Sequence, residues 1–219
     1  MKIAGGVSED GIVIGNTYDK YGSKNPIVRA MMNGFDHALE DLVAKVNPVT
    51  IHEVGCGEGY WVIKWRHRGL DARGCDFSSQ AIKIAQGNAI DRGLSSELFS
   101  VRSIYEMAEK QDQADLIVCC EVMEHLERPT EALRVLKQIV QDRHVIFSVP
   151  REPLWRLLNM ARGKYVGALG NTPGHLQHWS RTGFVRLIGG YFDIVEVKSP
   201  LPWTMLLARG RSSLRVAPN

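Results

Sequence analysis

The alternation of short apolar runs with helical patterns between residues 49 and 149 most restricts how this chain can fold. Each apolar run has the length of a strand, and the segment after it repeats apolar residues at helical spacing. Strands are predicted at 49–54, 72–75, 98–101, 114–120 and 144–149, and helices at 60–68, 79–92 and 129–140. Elements that alternate in this order form a parallel sheet with helices on both faces.

The pattern differs on either side of this region. Apolar residues recur at helical spacing after Pro26, which predicts a first helix. After Pro150 the chain has a helix-like insert at 154–162, a helix at 182–188, and strands at 192–198 and 204–208 joined by a proline-containing turn. We therefore expect an α/β domain with a seven-stranded, mostly parallel sheet that ends in a C-terminal antiparallel hairpin strand.

Three glycines follow the first strand of the alternating region at every second position. Gly55, Gly57 and Gly59 form a turn in which backbone can approach a ligand without an intervening side chain. The turn enters a helix whose first N–H groups can bind a ligand. Asp76 follows about twenty positions later, at the end of the next apolar run. A glycine turn with a downstream carboxylate is typical of a nucleoside site, in which the carboxylate binds the ribose hydroxyls.

The glycine spacing, with Glu53 two residues ahead of Gly55, resembles motif I of the class I S-adenosylmethionine (SAM)-dependent methyltransferases. The resemblance covers nearly the whole chain and implies a Rossmann-like sheet with SAM as the cofactor. It places Gly55, Gly57 and Gly59 at the methionine end of SAM and Asp76 at the ribose. Further cofactor-binding residues that it implies are Glu53, Phe77, Ser103, Ile104, Glu121 and Tyr21. The family commonly has an acidic residue where this chain has Ser103.

A second group of polar residues follows the fourth strand of the predicted sheet. Glu121, Glu124 and His125 lie there, and His175 and His178 precede the last helix. Ligands bind at the carboxyl ends of strands in such sheets, so we expect these side chains to converge beside the cofactor. The candidates for catalysis are His125, His175, His178 and Glu124. An alternative is that Glu124 and His125 only cap the next helix or shape the pocket.

This second group resembles two kinds of methyltransferase. The ubiquinone-pathway O-methyltransferases have a Glu-His block and a proline after strand four, a later histidine, and an amphipathic insert. The Hen1 small-RNA 3′-terminal 2′-O-methyltransferases hold a metal ion with a Glu-x-x-Glu-His set and a histidine four residues before a Trp-Thr-Arg-like segment. By that match the metal ligands would be Glu121, Glu124, His125 and His175.

These resemblances predict transfer of a methyl group from SAM to a small-molecule acceptor, with a hydroxyl oxygen as the expected site. A divalent cation would lower the pKa of that hydroxyl, and without a metal His175 or His178 would serve as general base. Two alternatives are a metal-dependent RNA 3′-terminal ribose 2′-O-methyltransferase and a non-catalytic SAM-binding module. A nicotinamide-dependent oxidoreductase would require a different glycine spacing.

Composition favours a cytoplasmic protein. The net charge of +3 is too small to argue for nucleic acid, and the sequence shows neither a signal peptide nor an apolar run of membrane-spanning length. The four cysteines form no Cys-x-x-Cys pair and are expected to be reduced thiols. Oligomeric state stays open.

We expect residues 1–219 to form one methyltransferase domain with five segments. These are an N-terminal lid and first helix (1–47), a SAM-binding core (48–150), a substrate-side insert (151–180), a final helix with closing strands (181–209) and a tail (210–219). In the lid, Tyr18 and Tyr21 are expected to fold over SAM and the acceptor. The basic, amphipathic stretch 154–162 predicts a substrate lid, a peripheral membrane contact or a dimer contact.

Overall fold

A computed structural model describes residues 1–6, 8–9, 12–13, 15 and 21–211, and its centre is a seven-stranded sheet. The strands of this sheet are β1 (Thr50–Val54), β2 (Asp71–Asp76), β3 (Phe99–Val101), β4 (Leu116–Cys120), β5 (His144–Pro150), β6 (Phe192–Lys198) and β7 (Trp203–Gly210). Their order is β3-β2-β1-β4-β5-β7-β6. Strands β1 to β5 pair in parallel, and β7 runs antiparallel to both β5 and β6. The predicted fold class is confirmed.

Helices cover the sheet where the sequence pattern predicts them, with small differences at their ends. The α-helices are α1 (Pro26–Val46), α2 (Tyr60–His67), α3 (Ser79–Ile90), α4 (Glu109–Asp112), α5 (Pro129–Val140), α6 (Leu154–Ala161) and α7 (Arg181–Gly189). The Ser78 hydroxyl caps α3 by accepting a hydrogen bond from the backbone of Ala81 at 3.0 Å. The sequence pattern missed α4 and four short 3₁₀ turns, because each is too brief to show periodicity.

The core lies on both faces of the sheet, which explains why β4 is continuously apolar. Leu116 and Val118 pack into a cluster with α1, α2 and α3. Ile117 and Cys119 point to the opposite face and pack with α5 and α7. Alternate side chains of one strand therefore enter different clusters, as expected for a strand buried on both sides.

The structure also describes the cysteines and the lengths of the helices. All four cysteines have free thiols, and Cys56, Cys75 and Cys119 are buried. Within the described part of the chain, no helix combines the length and apolar character needed to cross a lipid bilayer. The tail beyond residue 211 and Tyr18 of the predicted lid lie outside the described residues.

Candidate active site

A cavity of about 550 Å³ opens at the carboxyl ends of the central parallel strands. This volume falls within the range of roughly 300–1,000 Å³ that small-molecule sites occupy. Both groups of residues singled out in the sequence share its wall. The predicted residues that line it are Tyr21, Glu53, Gly55, Gly57, Asp76, Phe77, Ser103, Ile104, Glu121, Glu124, His125 and His175. Gly59 and His178 lie outside this lining.

The glycine turn is held in place by backbone hydrogen bonds and by the carboxylate of Asp76. The amides of Gly55 and Cys56 donate to the carbonyl of Cys75 at 2.8 and 3.0 Å. The amide of Gly57 donates to Oδ2 of Asp76 at 3.0 Å, and Oδ1 of Asp76 accepts from the backbone of Ser78, also at 3.0 Å. Asp76 therefore ties the turn after β1 to the start of α3 on the cavity wall.

Two of the three glycines are required for different steric reasons. Gly55 has a φ of +73°, and a Cβ there would overlap the side chain of Val122. Gly59 has a φ of +81°, and its Cβ would overlap the ring of Phe99. Gly55 thus permits the turn to approach the segment that follows β4, whereas Gly59 permits α2 to pack against β3.

Residues 2–4 contact the glycine turn through Glu58, which lies between Gly57 and Gly59. Oε1 of the buried Glu58 accepts a hydrogen bond from the amide of Ala4 at 3.0 Å. The amide of Lys2 donates to Oδ1 of Asn88 at 2.9 Å, and the Asn88 side chain donates back to the carbonyl of Lys2 at 3.0 Å. These contacts fasten residues 2–4 over the glycine turn and α3.

Tyr21 lies on the cavity wall, stacked on Tyr60 with ring centroids 3.6 Å apart. Burial raises the pKa of the Tyr21 hydroxyl well above its ordinary value, and the nearby charges of Glu53 and Asp36 raise it further. The hydroxyl therefore stays protonated and can donate a hydrogen bond at neutral pH.

The residues predicted at the adenine differ in exposure. Phe77 is 42% exposed although it lines the cavity, so it is not a core residue. Ile104 is buried in the wall. The hydroxyl of Ser103 accepts from the backbone of Tyr105 at 3.4 Å, and Glu106 completes a capping box around the 3₁₀ turn Ile104–Glu106. Ser103 therefore shapes this wall through its cap, which is a structural role that the sequence pattern did not reveal.

Glu121 is held by strands on the far side of the site. Its Oε2 accepts from Nε1 of Trp203 at 2.7 Å, and its Oε1 accepts from the hydroxyl of Ser148 at 3.1 Å. Its backbone has a φ of +58°, which is uncommon for a residue with a side chain. The carboxylate is therefore fixed between β5 and β7.

Three of the four predicted metal ligands come together. Glu124, His125 and His175 offer ligand atoms that all lie within 4.8 Å of one another, whereas Glu121 is not a member of this group. The amides of Leu176 and Gln177 donate to the carbonyl of Glu124 at 2.8 and 3.0 Å and so join the two chain segments. The fourth predicted ligand, Glu121, instead has its carboxylate engaged by Trp203 and Ser148.

Protonation of the two imidazoles follows from their surroundings. Nδ1 of His125 lies 2.8 Å from the carbonyl oxygen of Gly174, and because a carbonyl only accepts, this nitrogen carries hydrogen. Burial, together with the neighbouring His125 and His178, lowers the pKa of His175 to about 3. A base with so low a pKa takes up a proton poorly at neutral pH, which disfavours His175 as a general base.

His178 is placed differently from the other two histidines. Its Nδ1 lies 3.5 Å from Oε1 of Glu152, and the residue is exposed. Because it lies outside the cavity lining, it would have to act on the acceptor through another group. The interpretation of His178 as a direct base therefore lacks support from the geometry.

Two tryptophans on the cavity wall were not individually predicted as site residues. Trp155 stacks on His175 with centroids 6.1 Å apart, and its Nε1 donates to Oγ1 of Thr172 at 2.9 Å. Trp155 also lies 5.8 Å from the ring of Trp203. The apolar face of the insert was a signal for Trp155. No local pattern indicates Trp203, because only the antiparallel pairing of β7 with β5 brings it to the cavity.

A family model described as a methyltransferase domain matches residues 30–191 of the chain. Curated relatives include the ubiquinone biosynthesis O-methyltransferase of Leptothrix cholodnii, which is 27% identical over 131 residues that cover 58% of this chain and 56% of the relative. The corresponding enzyme of Nitrosomonas europaea is 22% identical over 156 residues, with 66% of each chain covered. The chain spans about half the length of most of the curated relatives that it matches.

Solved structures share the fold at low sequence identity. The magnesium protoporphyrin IX methyltransferase of Synechocystis with bound SAH has a TM-score of 0.63 and 17% identity, covering 89% of this chain and 94% of that chain. The methyltransferase domain of a bacterial Hen1 protein also has a TM-score of 0.63, with 19% identity and coverage of 82% and 99%. At these identities the likeness extends to the fold alone.

Proposed function

This chain belongs to the methyltransferase-domain family, and from that premise we propose that it transfers a methyl group from SAM to the hydroxyl oxygen of a small molecule. The observation that carries the proposal is one cavity lined by both the glycine turn with Asp76 and the group Glu124, His125 and His175. The similarity to O-methyltransferases of ubiquinone biosynthesis supports an oxygen acceptor.

The cofactor would be held by the half of the cavity that the glycine turn and Asp76 form. Gly55 and Gly57 would present bare backbone to the cofactor, and the carboxylate of Asp76 on the same wall would accept from the ribose hydroxyls. Bound SAM would supply a methyl group on a sulfonium centre. Glu121, fixed by Trp203 and Ser148, contributes a carboxylate on the same wall, suited to the cationic part of the cofactor.

The other half of the cavity would bind the acceptor, and its donor set fits a divalent cation. One carboxylate and two imidazoles suit Mg²⁺, Mn²⁺, Co²⁺ or Zn²⁺. The hydrogen bond from Nδ1 of His125 to Gly174 orients the ring so that Nε2 is the ligand atom, as is usual for metal-binding histidines. Such a cation lowers the pKa of a hydroxyl that binds it. Three protein ligands would leave positions for that hydroxyl.

The test is a SAM-consumption assay across phenols, catechols, sugars, small thiols and short RNAs, each with and without EDTA. Conversion of SAM to S-adenosylhomocysteine with a hydroxyl acceptor, and its loss in EDTA, are expected. Turnover that is unaffected by EDTA would remove the metal from the proposal. SAM binding without turnover of any acceptor would favour the non-catalytic module.

RNA is a second candidate acceptor because the carboxylate–imidazole group matches the ligand types expected of a metal-dependent ribose methyltransferase. The cavity wall also includes the cations Arg102, Arg128, Arg162 and Lys164. RNA binding that weakens steeply with salt, together with methylation of a 3′-terminal ribose, would favour this acceptor over a small molecule.

A peripheral membrane contact of the insert is a further proposal about partners. Leu157, Val166 and Leu169 are more than half exposed, and Arg156 and Arg162 lie beside them in the chain. Apolar side chains flanked by cations are typical of surfaces that rest on anionic lipid. Sedimentation with anionic vesicles, lost in a Leu157→Ser/Leu169→Ser variant, would support this contact, and no binding of the unaltered protein would exclude it.

A further inference from the structure

We propose that Glu121, oriented by Trp203, recognises the positive charge on the sulfur of SAM and so favours binding of SAM over its product S-adenosylhomocysteine (SAH). The inference rests on the proposed function, because it assigns a specificity-determining residue to the cofactor half of the same cavity. It depends on the position of Glu121 between the two halves, on the way its carboxylate is held, and on the aromatic rings around it.

Methyl transfer removes a positive charge from the cofactor. The bond between the methyl carbon and sulfur breaks with its electrons left on sulfur, a bond from that carbon to the acceptor oxygen forms, and the hydroxyl proton is released. The sulfonium of SAM thus becomes the neutral thioether of SAH, while the nucleoside and the amino-acid end are unchanged. A carboxylate near the sulfur therefore attracts SAM but not SAH, whereas a contact with the rest of the molecule serves both.

Glu121 begins the segment that joins the two halves of the cavity. The next residue, Val122, lies against the glycine turn, since a Cβ at Gly55 would overlap its side chain. Glu124, three positions after Glu121, belongs to the carboxylate–imidazole group. Glu121, Val122 and Glu124 all line the cavity. The methyl group has to pass from one half to the other, so the sulfur that carries it would lie along this segment.

The carboxylate of Glu121 is held by two neutral donors. Nε1 of Trp203 donates to Oε2 at 2.7 Å, and the hydroxyl of Ser148 donates to Oε1 at 3.1 Å. The amide of Glu121 also donates to the carbonyl of Ser148 at 3.0 Å, which ties its backbone to β5. Neutral donors orient a carboxylate without cancelling its charge, so the charge can act on a ligand in the cavity.

Aromatic rings complete the surroundings that a cation would favour. The Trp203 ring packs against Phe35 with centroids 5.1 Å apart and against Trp155 with centroids 5.8 Å apart. All three residues line the cavity. Ring faces attract cations that carry carbon substituents, such as quaternary ammonium groups, and a sulfonium is of this kind. The carboxylate and the rings therefore favour the same charged group.

The thiol of Cys120 shows that the wall around Glu121 is negatively charged. Burial raises the pKa of this thiol, a hydrogen bond with the Ser148 side chain lowers it in part, and the charges of Glu121, Glu53 and Glu124 raise it further. The basic residues of the cavity lining come from other segments, after β3, before α5 and after α6, and are Arg102, Arg128, Arg162 and Lys164. The segment that contains Glu121 therefore contributes negative potential beside the glycine turn.

The experiment measures the Kd values of SAM, SAH and sinefungin by calorimetry in EDTA, which keeps metal binding out of the comparison. Sinefungin has a carbon that bears a charged amine in place of the methylated sulfur, so it keeps the positive charge. In Glu121→Gln we expect the Kd values of SAM and sinefungin to rise about tenfold, the scale of one partly screened charge interaction, and that of SAH to change by less than about twofold. Retained binding of SAH also shows that the variant is folded.

Trp203→Phe tests the positioning role of the tryptophan. It keeps an aromatic ring but loses the N–H that orients the carboxylate, so the preference for SAM over SAH should fall part of the way towards that of Glu121→Gln. Glu127→Gln is the matched control, because Glu127 also lines the cavity but is exposed to solvent, which screens its charge. The ratio of the SAH and SAM Kd values should be unchanged in this control.

An equal loss of affinity for SAM and SAH in Glu121→Gln would overturn the inference, since the carboxylate would then bind a part that both molecules share. Unchanged affinity for all three ligands would overturn it as well, and so would a fall in the ratio for Glu127→Gln as large as that for Glu121→Gln. Absence of SAM binding by the unaltered protein would instead reject the proposed function.

Discussion

Nδ1 of His125 donates a hydrogen bond to the carbonyl oxygen of Gly174 over 2.8 Å, across 49 positions of the sequence. The bond joins the segment after β4 to the segment that leads into α7. It also fixes which nitrogen of the ring carries hydrogen, so that Nε2 presents a lone pair when the ring is neutral. The relation between these two residues therefore fixes the orientation of the His125 ring in the cavity and the nitrogen that the proposed cation would use.

Removing one of the three proposed ligands should weaken metal binding. In His125→Asn the Nε2 atom is lost, and we expect the affinity for Mn²⁺ or Zn²⁺ in calorimetric titrations to fall at least about tenfold, as for the loss of one of three protein ligands. Glu124→Gln should behave in the same way.

Glu121→Gln is the control that separates the three-residue set from the predicted four. Its carboxylate is bound to Trp203 and Ser148, so metal affinity should be unchanged in this variant. A fall in metal affinity as large as that of His125→Asn would restore Glu121 to the ligand set.

A methyl group at Gly55 should distort the glycine turn. Gly55→Ala places a side chain at a φ of +73° and against Val122, and we expect a loss of about 2–5 kcal/mol of unfolding free energy from backbone strain and overpacking together. Denaturant titration measures the stability, and calorimetry measures the accompanying loss of SAM affinity.

Gly69→Ala provides the matched control for this substitution. Gly69 has a φ of +84° and open space where the added methyl group would lie, so its replacement should cost only the strain, about 1–2 kcal/mol. A Gly55→Ala/Val122→Ala double variant should regain the part of the unfolding free energy that overpacking removes. Equal losses for Gly55→Ala and Gly69→Ala would show that the contact with Val122 is unimportant.

Neutralising Asp76 should weaken cofactor binding. Asp76→Asn removes the charge that accepts from Gly57 and that would bind the ribose hydroxyls, and we expect SAM affinity to fall by about 1.5–3 kcal/mol. Asp71→Asn, at the exposed start of the same strand, is the control and should leave affinity unchanged. Unaltered SAM affinity in Asp76→Asn would contradict the assigned ribose contact.

Stability should depend on pH through His52, which is buried within β1. Burial lowers the pKa of His52 from 6.5 to about 4, while its Nδ1 donates to the carbonyl of Asp112 at 2.9 Å. Between these values the unfolded chain binds the proton that the folded state does not, so stability is complete above pH 6.5 and falls as the pH drops towards 4.

Denaturant titrations at about pH 7 and about pH 4.5 measure this effect. We expect His52→Gln to lose roughly 2–3 kcal/mol less unfolding free energy than the unaltered protein over that interval. His67→Gln, at an exposed position of α2, should retain the original pH dependence. The same loss in His52→Gln as in the unaltered protein would show that other groups cause it.

The elements, and the closeness of the glycine turn to Asp76, could be predicted because their signals are local. A buried parallel strand such as β4 is recognisable from its own five residues, and the glycine turn lies next to β1 in the sequence. Asp76 follows the glycine turn at a distance in sequence that is set by the lengths of α2 and β2. Each inference needed only neighbours along the chain.

The contacts in the proposed acceptor half of the cavity could be predicted only in part, because they join distant segments. The grouping of Glu124, His125 and His175 followed from the edge at which parallel strands end. The hydrogen bond between Glu121 and Trp203 depends on the pairing of β7 with β5. The hydrogen bond between Arg162 and Asn159 depends on how the insert folds. Neither has a signature in the spacing of residues.

The insertion of β7 between β5 and β6 has a consequence for synthesis of the protein on the ribosome. Trp203, which positions Glu121, belongs to the last strand to emerge among those that build the sheet. A nascent chain that has already exposed the glycine turn, Glu124, His125 and His175 still lacks the residue that anchors this carboxylate. Competence to bind the cofactor should therefore arise late, when the final strand docks, rather than gradually as translation proceeds.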